Sequence, residues 1–112
     1  MRPLGTKAAL SPARRRLIEL FQQLNFGRVE SLNLMDGEPV FDPPPRAIRE
    51  IKFGGENGPR PEYDAVDFAL KSQVVELLRF FDQLGDGTIE AIEVKYGLPF
   101  RLTFAHADAN CR

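Results

Sequence analysis

The chain has no tryptophan, one histidine and one cysteine in 112 residues. A single thiol, Cys111, excludes an internal disulfide framework and a zinc site built from clustered cysteines. With His106 as its only imidazole, the chain is poorly equipped for a Ser-His-Asp or Cys-His site, and no enzymatic activity is expected. No apolar run approaches the roughly 20 residues needed to cross a bilayer. The opening stretch MRPLGTKAALSPARRR has no apolar core of the kind a secretory signal requires. A soluble cytoplasmic protein without a membrane partner is therefore expected. The glycine-rich stretch GGENGPRP at 54–61 lacks the Gly-Lys-Ser/Thr ending of a phosphate-binding loop, and no cofactor is expected.

Acidic residues are also missing from one end. Arg2, Lys7, Arg14, Arg15 and Arg16 precede the first acid, Glu19, although the formal net charge of the whole chain is −1. A basic terminus offers a surface to nucleic acid or to an acidic partner. Ser11-Pro12 reads as an N-cap followed by proline at the first helical position. That reading sets Arg14, Arg15 and Arg16 in the first helical turn, where positive charge opposes the helix dipole at about 0.3–1 kcal/mol per charge. The rest of the composition is that of one globular domain, 43% hydrophobic and 28% charged.

The sequence repeats itself. Shifted by 60 residues, LIELFQQLNFGRVESLNLMDGEPV at 17–40 falls without gaps on LLRFFDQLGDGTIEAIEVKYGLPF at 77–100. Eight of the 24 pairs are identical, where chance supplies one or two: Leu17/Leu77, Phe21/Phe81, Gln23/Gln83, Leu24/Leu84, Gly27/Gly87, Glu30/Glu90, Gly37/Gly97 and Pro39/Pro99. Whatever one copy folds into, the other is expected to match.

Each copy opens with helical spacing: Leu17, Leu20, Phe21 and Leu24, then Leu77, Phe80, Phe81 and Leu84. The second helix is expected to start near Asp64 or Asp67. Glycine is expected to end each helix, at Gly27 in one copy and at Gly85 and Gly87 in the other. The period then changes to two. Leu32, Leu34, Ile92 and Val94 are read as inward-facing, and Val29, Ser31, Asn33, Ile89, Ala91 and Glu93 as the opposite face. Asp36-Gly37, and more weakly Tyr96-Gly97, signal two-residue hairpins. The prolines that follow, Pro39 and Pro99, fit edge strands. The expected domain is thus single, over 1–112. It has an αββ repeat at 12–41, a Pro/Gly-rich connection at 42–63 with an extra strand around Arg49, Ile51 and Phe53, a second αββ repeat at 64–104 and a tail at 105–112. The fold class is α+β, with two helices on one face of a mostly antiparallel sheet of four or five strands and halves related by internal symmetry.

The first copy resembles the YezD-like family of small bacterial proteins of unknown function. The resemblance is carried by LIELFQQL, by Phe26-Gly27-Arg28-Val29-Glu30 and by Asp36-Gly37-Glu38-Pro39-Val40. It implies a helix followed by a hairpin and a bacterial origin, and it supplies neither activity nor site residues. The second copy is also similar to an EF-hand calcium loop over DQLGDGTIEAIE at 82–93. Asp82, Asp86, Thr88, Glu90 and Glu93 stand at ligand positions and Gly87 at the turn. Leu84 departs from that pattern, and Gly97 and Pro99 leave no room for the second helix. A turn from helix to strand is the expected structure there, and no metal site is assigned.

Glu30 and Glu90, matched between the copies, share the parity of the inward positions. A symmetric arrangement would bring them together as paired carboxylates. The function expected from the sequence is a non-enzymatic interaction or regulatory module with a protein partner, as a monomer or weak homodimer. Two alternatives stay open: a nucleic-acid accessory protein using Arg14, Arg15 and Arg16, and a calcium- or carboxylate-based site in the second repeat.

Overall fold

Ser11 starts the first helix as the sequence predicts. In the computed structural model, which describes residues 10–51, 53–54 and 71–105, its side chain accepts the Arg14 N–H at 3.1 Å and Pro12 takes the first helical position. Helix α1 spans Pro12–Leu24 and α2 spans Ser72–Leu84. Each has an apolar stripe, with Leu17, Ile18 and Phe21 buried in α1 and Val74, Leu77, Leu78 and Phe81 in α2. Lys71 precedes α2 in an extended conformation, so this helix begins later than the expected Asp64 or Asp67, both outside the described residues. The second helix stops at the expected Gly85, and the first stops at Asn25 instead of Gly27. Asn25 and Gly85 are the caps, with positive φ of 63° and 74°, and their N–H groups reach Phe21 O and Phe81 O at 2.9 Å. Asparagine can take the left-handed conformation in glycine's place.

The strands are β1 (Phe26–Met35), β2 (Glu38–Val40), β3 (Arg46–Arg49), β4 (Gly87–Lys95) and β5 (Leu98–Thr103). They form one antiparallel sheet in the order β2-β1-β4-β5, with β3 also paired to β1. Both hairpin turns have positive φ at both central residues, Asp36-Gly37 and Tyr96-Gly97, as a type I′ turn demands. The extra strand lies at Arg46–Arg49, earlier than expected, and Ile51 and Phe53 are exposed beyond it. Gly27 is held by this pairing. Its φ is 154°, and an added Cβ would lie 2.0 Å from the Ile48 carbonyl oxygen.

The second edge shows what the proline run replaces. Val94 faces Pro99 and Glu93 faces Arg101, so one residue, Phe100, bulges from β5. On the first edge Asn33 faces Val40 and Glu30 faces Arg46, so three residues are looped out where the second copy extrudes one. Prolines and bulge leave both edges poor templates for a further strand.

The centre of the sheet is the seam between β1 and β4, running from Phe26↔Lys95 to Leu34↔Gly87. A shift of 60 residues maps the pair Arg28↔Glu93 onto Thr88↔Asn33, both already in that register. The seam therefore carries a pseudo-two-fold axis beside the Glu30↔Ala91 pair. Crossed bonds obey the same symmetry: Gly37 N–H donates to Gly85 O at 2.8 Å and Gly97 N–H to Asn25 O at 2.9 Å. Each repeat's turn thus satisfies the helix cap of the other.

Strict alternation fails near that axis. Val29 and Ile89, expected on the solvent face, are fully buried with Leu32 and Ile92. Two successive residues in each strand, Glu30-Ser31 and Glu90-Ala91, stay out of the core, and Ser31 has a left-handed φ of 59°. The inward set then resumes one residue out of phase. The core combines Val29, Leu32, Leu34, Ile89, Ile92 and Val94 with Leu17, Ile18, Phe21, Leu24, Val74, Leu77, Leu78 and Phe81.

Candidate functional site

The three arginines of the basic cluster are not equivalent: Arg15 and Arg16 are exposed, and Arg14 is buried. Arg14 is only 7% exposed; its Nη2 donates to Gly37 O at 2.8 Å and meets Asp82 Oδ1 at 2.5 Å, and its Nε lies 3.8 Å from Glu38. Ser11 Oγ donates to the same Glu38 carboxylate at 2.6 Å. Arg14 is thus a structural tie between α1, the first turn and α2. Arg16 stacks over Phe41, 4.3 Å from the ring centre, and Arg15 is exposed.

The residues of the calcium-like loop are spread over a helix end, a turn and a strand. Asp82 belongs to α2 and serves Arg14. Asp86 Oδ1 accepts the Asp36 N–H at 2.7 Å. Thr88 donates to Asn33 Oδ1 at 2.8 Å, and Glu90 and Glu93 sit on β4. The expected helix-to-strand turn is what the chain forms. Among the described residues, no group of three or more His, Cys, Asp or Glu side chains converges as metal ligands would.

The paired-carboxylate expectation needs inward glutamates, and the phase change near the axis turns both outward. Glu30 accepts from Arg28 Nε at 2.6 Å, and this hydrogen bond and the carboxylate's charge raise the Arg28 pKa above its ordinary value. Glu90 is exposed. His106 and Cys111 lie outside the described residues.

The duplication separates what the scaffold needs from what it merely carries. A groove of about 350 Å³ between α2 and β5 is lined by Glu76, Phe80 and Arg101, and one of about 400 Å³ beside α1 by Arg16, Leu20 and Phe41. These are the same three repeat positions, so both grooves follow from the common fold. The two ends of the seam are another matter. At one end Phe26 packs edge-on against Tyr96 with ring centres 4.9 Å apart, and Lys95 lies 4.2 Å over the Phe100 ring. Tyr96 is 58% exposed, and a cavity of about 240 Å³ there is lined by Phe26, Glu50, Lys95 and Tyr96. At the other end the equivalent positions hold Asp86 for Phe26, Asp36 for Tyr96 and Met35 for Lys95. One corner is aromatic and presents Lys95 beside Glu50 and Glu93; its counterpart presents two aspartates and an exposed methionine.

The sequence showed the duplication but not this divergence, because the corners meet only when β1 and β4 pair. The signal is present in the 24-residue alignment of the two copies, at its non-identical columns. No protein-family model matches the chain, and comparisons with curated proteins and with solved structures find no match. No helix among the described residues is long and apolar enough to cross a membrane.

Proposed function

We propose that the protein is a non-enzymatic interaction module and that its binding surface is the aromatic corner of the sheet, formed by Phe26, Lys95, Tyr96 and Phe100. One observation carries this reading. The same scaffold builds its other corner from Asp86, Met35 and Asp36, so an exposed tyrosine is not something the fold requires. A type I′ turn is served at least as well by the Asp-Gly of the first copy as by Tyr96-Gly97. An exposed, partly apolar ring with a cation beside it is the kind of anchor that dominates protein interfaces. The resemblance of the first copy to a family of small bacterial proteins is compatible with this role and adds no residue to it.

The reading is tested with Tyr96→Asp/Lys95→Met, which gives this corner residues the scaffold already carries at the other. Wild type and variant are compared as baits in a host extract, with bound proteins identified by mass spectrometry. A partner retained by wild type and lost from an equally stable variant is expected. Identical bound sets would remove the corner as the binding surface.

A further inference from the structure

The corner needs an occupant, and the chain itself displays a surface of complementary chemistry. We propose that the aromatic corner of one copy docks on the acidic corner of a second copy, in a head-to-tail contact. The inference rests on reading the aromatic corner as a binding surface, and it names the partner.

The complementarity is positional. Lys95, exposed, would face the exposed carboxylates of Asp36 and Asp86. Tyr96 would meet Met35, which is 67% exposed, and a thioether against an aromatic ring is a favourable contact. Asp36 and Asp86 already lie together, because the Asp86 carboxylate accepts the Asp36 N–H, so their charges act on one spot. Glu38 and Asp82 add negative charge nearby, offset in part by the single cation of Arg14. The corners lie at opposite ends of the β1–β4 seam, whose eight residue steps span roughly 27 Å at about 3.4 Å per residue. A contact between different surfaces at opposite ends cannot close on itself as a two-fold dimer does. It builds a closed ring of three or more copies or an open chain. Strand addition is the competing mode, and it is disfavoured by Pro99 and the Phe100 bulge on one edge and the proline loop on the other.

The test is sedimentation velocity of the full chain from micromolar to near-millimolar concentration, at about 50 mM and about 500 mM salt. The expected result is a mass that rises with concentration past the dimer and falls in high salt, where contacts between exposed charges are screened. Two variants close the argument. Tyr96→Asn/Lys95→Gln removes the aromatic corner without building a second acidic one, and Asp36→Asn/Asp86→Asn removes the acidic charge while keeping residues that tolerate the turn. Each alone should be monomeric. Mixed one to one, each retains one intact corner, so they should form a mixed dimer and nothing larger. Equal melting temperatures show that the variants remain folded. Wild type that stays monomeric throughout, a plateau at dimer, or variants that still self-associate would each overturn the proposal. If wild type is monomeric yet captures another protein through Tyr96, the self-docking inference fails while the reading of the corner stands.

Discussion

Gln22 and Asp82 occupy equivalent places in the two helices and have opposite fates. Asp82 receives the Arg14 guanidinium, whereas the partner position for Gln22 is Val74, and Gln22 is buried with its side-chain oxygen unpaired. An unpaired buried polar atom costs about 1–3 kcal/mol, so Gln22→Leu should raise stability by up to about 1 kcal/mol once strain from refitting is subtracted. Urea unfolding of the variant measures this, and a lowered midpoint would mean that the Gln22 amide satisfies itself elsewhere. The Arg14 tie should respond unequally to its two halves. Asp82→Ala leaves the buried Arg14 cation with only the Gly37 carbonyl and the more distant Glu38 and should cost about 1–3 kcal/mol, while Arg14→Met frees carboxylates that water already reaches, takes one donor from the Gly37 carbonyl and should cost less. The same titration checks the order of the two.

At the level of the elements, equivalence has limits that burial sets. Phe21 and Phe81 are both fully buried, so Phe21→Ala and Phe81→Ala should each cost about 3–5 kcal/mol and agree closely. Leu24 is buried but Leu84 only partly so, and Leu24→Ala should therefore be the more damaging of that pair. Chemical denaturation of the four variants decides both comparisons. The helices, both hairpins and the two-fold repeat were legible because local signals carried them: an apolar stripe, a Ser-Pro cap and Asp-Gly in a turn. Val29 and Ile89 are misplaced by strict alternation, although the sequence carries the phase change: the apolar residues stand at 29, 32 and 34 and at 89, 92 and 94, with the same two-residue skip in each copy. Arg14 was misread for another reason. Its partners, Asp82 and the Gly37 carbonyl, are brought to it only by the other repeat and the first turn. The YezD-like resemblance described one copy and could not announce how two copies embrace.

On the scale of the molecule, the seam makes the repeats one unit. Their core residues interleave across β1 and β4, and each turn completes the other's helix. Amide hydrogen exchange at Val29, Leu32, Ile89 and Ile92 should therefore report a single opening, with protection that agrees within about 1 kcal/mol. A first repeat that exchanges well before the second would show that the halves open independently. The crossed bonds also fix an order in time. As the chain leaves the ribosome, the carbonyl of Asn25 must wait for the amide of Gly97, and the amide of Gly37 for the carbonyl of Gly85. Until then β1 has its near edge paired to β2 and β3 but its far edge bare, with Val29, Leu32 and Leu34 only half covered. Contacts so distant in sequence form late. The half-made protein is thus the state most open to wrong pairing, and a nascent second chain with the same bare edge is the neighbour it most needs to avoid.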